Sequence, residues 1–89
     1  MKLDIYDTHA VHNDGKVMHF DVLLPEGGNE SIARTFALQW LENIRIPSEN
    51  ISFNNCQFCH AEQANPEIEQ AISFQGYAIF QMEGCSSPV

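Results

Sequence analysis

Residues 2–24 read KLDIYDTHAVHNDGKVMHFDVLL, and the four residues at their centre, Asn13-Asp14-Gly15-Lys16, decide the fold. On the near side Leu3, Ile5 and Val11 share one parity; on the far side Met18, Phe20, Val22 and Leu24 do. Such period-two alternation marks a half-buried strand. Asp-Gly supplies the positive φ of a type I′ turn, so the two strands fold back as a hairpin. With Asp14-Gly15 as a two-residue loop, Val11 faces Met18, His9 faces Phe20, Asp7 faces Val22 and Ile5 faces Leu24. One face is then almost entirely apolar. A slip by one residue sets the second strand's apolar residues beside Thr8, Asp4 and Lys2, which pattern matching disfavours. In the preferred register Asp7 and His9 turn toward the core, while His12, His19 and Asp21 share the other face with Thr8.

Beyond Pro25-Glu26-Gly27-Gly28 the period changes to that of a helix. Ile32, Phe36, Ala37, Trp40, Leu41 and Ile44 recur at three and four, predicting a helix over 30–44 capped by Asn29 or Ser31 and stopped at Ile46-Pro47. Ile51, Phe53 and Asn55 alternate, predicting a third strand over 50–56. Asn65-Pro66-Glu67 combines a cap, a proline at the first helical position and an acid at the positive end of the dipole, which opens a second helix. Gly76 ends it. Residues 77–83 make the last strand. The expected fold is α+β in ββαβαβ order: a four-stranded mixed sheet with two helices on one face. It forms one domain over residues 1–84, with a short tail at 85–89.

The 89 residues carry 12 acids against four Lys and Arg, a net charge of −8. Lys2, Lys16, Arg34 and Arg45 are scattered, so no basic patch is available for a phosphate backbone or an anionic membrane. Nucleic acid and membrane partners are therefore not expected. The start has no apolar leader segment, and no run approaches the ~18 residues of a membrane helix. A reducing cytoplasm is the expected location, and the odd count of three cysteines fits it. An exposed edge strand offers a route to a homo-oligomer.

The unusual stretch is NNCQFCHAEQANP, Asn54 to Pro66. Its C-x-x-C-H matches the haem-attachment pattern, but attachment follows export and the chain has a complete core of its own. Its H-x-E lies downstream of C-x-x-C, the reverse of the zinc deaminase order. Three readings remain open. Cys56 and Cys59 have zinc-knuckle spacing, and Cys85 with His60 or His9 could complete a tetrahedral site. Cys56 or Cys59 could instead be a redox or transferase nucleophile. Or the cysteines are small buried hydrophobes, with His60 and Glu62 as a local polar pair. Asp7 and His9, two apart on one face, could be a carboxylate orienting an imidazole as a base or a metal's second shell, or a satisfied buried pair, or the place where the strand leaves the core.

Tyr6-Asp7-Thr8, Met18-His19-Phe20-Asp21-Val22, Cys56-Gln57-Phe58-Cys59-His60 with Glu62 and Ala64, Gly76-Tyr77-Ala78-Ile79 and Met82-Glu83-Gly84-Cys85 together resemble a small bacterial family. It is the domain-of-unknown-function family numbered twenty twenty-four. The resemblance spans the whole chain and implies a compact single α/β domain. It implies no activity and no catalytic residue. It draws attention to Asp7, His19, Asp21, Cys56, Cys59, His60, Glu62 and Cys85. The expected function is a non-enzymatic binding or interaction module, with a soft-metal (Zn) site at Cys56, Cys59, His60 and Cys85 as its sharpest form. The alternative is thiol-dependent redox or transferase chemistry at Cys56 or Cys59.

Overall fold

The computed structural model describes residues 1–82, so Cys85 and the tail lie outside the described residues. The elements are β1 (Lys2–His12), β2 (Val17–Pro25), α1 (Glu30–Asn43), a 3-10 turn (Ser48–Asn50), β3 (Ile51–Gln63), α2 (Pro66–Gln75) and β4 (Ala78–Gln81). The strands form one sheet in the order β3-β1-β2-β4. The α+β class is as expected, but the sheet is not mixed: all three neighbouring pairs are antiparallel. β3 runs in the same direction as β2, yet β1 lies between them, so no parallel pair forms.

The hairpin register differs by one residue from the expected one. Val11 faces Val17, Ala10 faces Met18, His9 faces His19, Thr8 faces Phe20, Asp7 faces Asp21 and Ile5 faces Leu23. The cause is the turn. Gly15 N–H donates to the His12 carbonyl at 2.8 Å, and His12 N–H donates to the Lys16 carbonyl at 2.8 Å. Gly15 sits at φ 94°. This is the three-residue loop in which a type I turn is followed by a left-handed glycine, rather than a two-residue I′ loop. Asp14 Oδ1 accepts from Lys16 N–H at 2.8 Å and holds the turn.

The slip exchanges the faces. Tyr6, Thr8 and Ala10 now join Met18, Phe20, Val22 and Leu24 under α1, against Ala33, Ala37 and Leu41. Two alanines at the contact let the helix sit close to the sheet, and Phe20 stacks tilted on Trp40 at 4.9 Å between centroids. Thr8 is the one buried polar residue among the described residues; its hydroxyl bonds the Tyr6 carbonyl at 3.1 Å, which offsets the desolvation cost. The opposite face carries Leu3, Ile5, Leu23 and Ala78 under Ile72, Ile68 and Ala71 of α2. The two helices therefore lie on opposite faces, not on one. Both parities of β1 and β2 carry apolar residues at the Leu3/Leu24 end, so the sheet needs cover on both sides there.

α2 has 10 residues, so it is ~15 Å long, whereas the 11 residues of β1 extend ~36 Å. It covers one end of its face. The end nearer the hairpin turn stays open, and Asp7, His9, His19 and Asp21 lie there.

β3 is longer than expected and runs beside β1 from Ile51 to Gln63. Two bulges interrupt it: Asn54 is extra between Phe53 and Asn55, and Cys59 is extra between Phe58 and His60. Each reverses the parity of the strand residues beyond it. The remaining boundaries depend on the capping residues. Asn29 Oδ1 accepts from Ile32 N–H and Asn65 Oδ1 from Ile68 N–H, both at 2.9 Å. Gly76 ends α2 in the left-handed conformation at φ 93°.

The turn gives the first test. A Cβ at Gly15 would meet nothing within 4 Å, so only backbone strain opposes a side chain. Gly15→Ala is expected to cost about 1–2 kcal/mol in urea unfolding, and Gly15→Asn clearly less, since Asn tolerates this conformation. Equal stability of all three would contradict the assigned turn.

Candidate metal centre

Three side chains from the two central strands converge on the open half of the α2 face. His19 Nε2 lies 2.5 Å from Asp7 Oδ1, and His9 Nδ1 lies 3.8 Å from Asp7 Oδ2. One ligand atom from each of Asp7, His9 and His19 can be chosen so that all lie within 4.8 Å of one another. The His9 and His19 rings stack at 4.0 Å, inclined by 14°. Their side chains are 35% and 27% exposed and that of Asp7 is 28% exposed, so the group is partly desolvated yet open to an entering ion. Asn55 Nδ2 donates to Asp7 Oδ2 at 3.5 Å from β3, and orients the carboxylate. The bulge at Asn54 puts Asn55 on this face while Phe53 faces α1.

One cross-strand pair here is not what hairpin stability favours: Asp7 is opposite Asp21, while the stacked His9 is opposite His19. Like charges directly opposite destabilise a hairpin, whereas opposite charges support it. Burial, and then the Asp7 carboxylate, push the Asp21 carboxyl up from its ordinary value, while His19 and His60 pull it back down. A cation at the Asp7 end would relieve this repulsion.

The C-x-x-C-H run is extended along an edge strand. A knuckle needs a turn between its thiolates, and Cys56 to His60 lie within strand β3, apart from the bulge. Cys56 is 2% exposed, packed in the α1 core with Sγ 3.5 Å from the Thr8 hydroxyl. Burial pushes its thiol up from the ordinary value. Cys59 is exposed. Its Sγ lies 3.2 Å from His60 Nδ1, and His60 Nε2 lies 2.9 Å from Glu62 Oε1. Cys85, the third thiol of the expected set, lies outside the described residues.

Of the residues singled out in the sequence, Asp7, His9, His19 and Asp21 are thus brought together, and His60 with Glu62 lies beside Asp21 around one recess. Asp7 and His9 do not point to the α1 core, and His19 and Asp21 do not lie with Thr8, because the register differs by one. Asn55 is not among the residues that the sequence singles out. Its only signal is a polar residue in an alternating apolar stretch.

The fold and this cluster define a small antiparallel α+β domain with a polar centre on its half-covered sheet face. The family model described as a domain of unknown function (DUF2024) matches residues 1–82, and the chain belongs to that family. It is similar to the NMR structure of protein NE1680 from Nitrosomonas europaea, with 41% identity and a TM-score of 0.79, covering 97% of this chain and 100% of that one. Among curated proteins none matches. No helix among the described residues is long and apolar enough to cross a membrane.

The Asp21 environment sets a pH dependence. Its folded carboxyl holds a proton more tightly than the unfolded one, so its contribution to stability is present in acid and lost as pH rises through the raised value. Asp21→Asn should therefore stabilise the chelator-treated protein near neutrality, and the gain should vanish below the ordinary carboxylate range. Urea unfolding at several pH values checks this; a loss of stability at neutral pH would refute it.

Proposed function

We propose that the protein is a non-enzymatic binding module whose ligand is a divalent transition-metal ion held by Asp7, His9 and His19. The observation that carries the reading is the mutual approach of the three ligand atoms to within 4.8 Å. Ligands about 2.0–2.1 Å from a tetrahedral ion lie ~3.4 Å apart, so side-chain rotations on the order of an ångström would close the site. The hairpin need not move.

Two imidazoles and a carboxylate suit Zn²⁺ and its neighbours rather than Ca²⁺ or Mg²⁺, which take all-oxygen shells. Zinc is thus the working ion, as in the sequence-based expectation, but with a different ligand set. Three protein ligands leave the fourth position open. That, with the partial exposure, suits an ion taken up and released rather than one on which folding depends. Asn55 acts as the outer partner that orients Asp7. The odd count of three cysteines supports a reducing compartment, the cytoplasm. The charge of −8 disfavours nucleic acid as partner.

Thermal unfolding with and without ZnCl₂ tests the reading. An ion present at a hundredfold its Kd should add about 2.7 kcal/mol, raising Tm by roughly 10 °C or more for a chain of this size. Calcium should give no such shift. His9→Ala and His19→Ala should remove the zinc response, and His12→Ala, at the hairpin turn beside Asp14, should leave it intact. A zinc response that survives both of the first two substitutions, or no response in the wild type, would overturn the assignment.

A further inference from the structure

A second group of reactive side chains lies on edge strand β3, beyond Asp21 from the Asp7 ligands and sharing none of them. We propose that Cys59 is a reactive thiol that forms mixed disulfides with small neutral or cationic disulfides, His60 taking the thiol proton and Glu62 orienting the imidazole. This gives the thiol reading of the sequence one nucleophile, one base and a class of substrate. It does not depend on metal binding.

Residues adjacent in a regular strand point to opposite faces, so Cys59 and His60 should not meet. The bulge overrides that rule. Cys59 is the extra residue, with Phe58 opposite Tyr6 and His60 opposite Ile5. A bulge re-aims side chains, and here it sets Cys59 Sγ 3.2 Å from His60 Nδ1. His60 Nε2 is 2.9 Å from Glu62 Oε1, two residues on and on the same side of the strand. Nucleophile, base and orienting carboxylate stand in sequence, the arrangement that activates a thiol.

Space for a substrate adjoins the relay. His60 and Glu62 form one wall of a recess of 380 Å³ between the sheet and α2, whose other lining includes Asp21, Leu23, Ile68 and Phe80. That volume is in the range of small-molecule sites. Apolar side chains and two carboxyl groups, Asp21 and Glu62, line the recess, and no Lys or Arg does. An anionic disulfide is therefore repelled, and a short amine-bearing one is favoured. Phe80, also in the lining, is 60% exposed and offers an apolar surface for the carbon chain of such a ligand.

The exchange balances without another oxidant. The Cys59 proton passes to His60 Nδ1, and the thiolate attacks one sulfur of the disulfide. A Cys59–sulfur bond forms as the original S–S bond breaks. The leaving thiolate takes the proton from His60. Cys59 is oxidised and half of the incoming disulfide is reduced to a thiol. Cys56 cannot take this part, since it is buried on the other face.

The test measures exchange with cystamine at pH 7 in the full chain carrying Cys85→Ser. The reference is a peptide of residues 54–63 with Cys56→Ser, which keeps the covalent neighbours and loses the bulge. A free thiol is only a few per cent thiolate at pH 7, so proton transfer to His60 can raise the rate on the order of tenfold over the peptide. His60→Gln should bring the rate back to that of the peptide. His60 is exposed, so this substitution should leave the fold intact, and circular dichroism of the variant checks it. An anionic aromatic disulfide should show a smaller advantage of chain over peptide than cystamine does, and Asp21→Asn should narrow that gap. Equal rates for chain and peptide, or a full rate in folded His60→Gln, would overturn the role of the relay. A larger advantage for the anionic disulfide would overturn the substrate class.

Discussion

The three-residue length of the Asn13-Asp14-Gly15 loop is the constraint on which the rest depends. Only Gly15 in it is left-handed, whereas a two-residue I′ loop needs Asp14 left-handed as well. That one extra loop residue sets the parity of β2 against β1, and so decides which side chains meet. Thr8, Tyr6 and Ala10 go into the α1 core with Phe20 and Val22. Asp7, His9, His19 and Asp21 go to the other face together. With the other register, Asp7 and His9 would stand across from valine and phenylalanine, and no cluster would form.

A second constraint is length. α2 is too short to cover its face of the sheet, so the buried apolar residues of that face gather at one end, beneath Ile72, and Asp7, His9, His19 and Asp21 lie beyond its cover. The site is therefore a property of the fold's incompleteness on one side. Its pairing of Asp7 with Asp21 runs against hairpin stability, whereas His9 and His19 stack across it. Features that oppose local stability while the surrounding fold holds them in place tend to mark function. A cation bound at Asp7 is the simplest chemistry that would offset that repulsion.

The strand, helix and loop assignments were largely legible in the sequence because local chemistry determines them. Asn29, Asn65-Pro66 and Gly76 act on their own neighbours, and the helices begin and end close to where they predict. Features that depend on distant partners were not legible. The choice between two- and three-residue loops turns on about one residue of backbone geometry, and Asp-Gly suits both. The C-terminal half of β3 lacks alternation because it is an exposed edge held by pairing with β1, so QFCHAEQ reads as a loop when taken alone. The placement of the two helices on opposite faces arises from Leu3, Ile5 and Leu23 having the parity opposite to Phe20 and Val22. A hairpin read in the wrong register merges those two sets into one. The candidate site inherits the same error: its residues were visible, and their company was not. The cysteine motif drew attention by its spacing, but spacing suggests a knuckle only where the chain turns.

The most direct measurement is a zinc titration followed through the ring nitrogens of the four histidines, His9, His12, His19 and His60, by long-range ¹H–¹⁵N correlation spectra. Metal binding at the Asp7 cluster requires that His9 and His19 move together and saturate at one equivalent, while His12 and His60 stay unchanged. Shifts confined to His60, with Cys59 as its neighbour, or no saturable shift at His9 and His19, would rule that binding out.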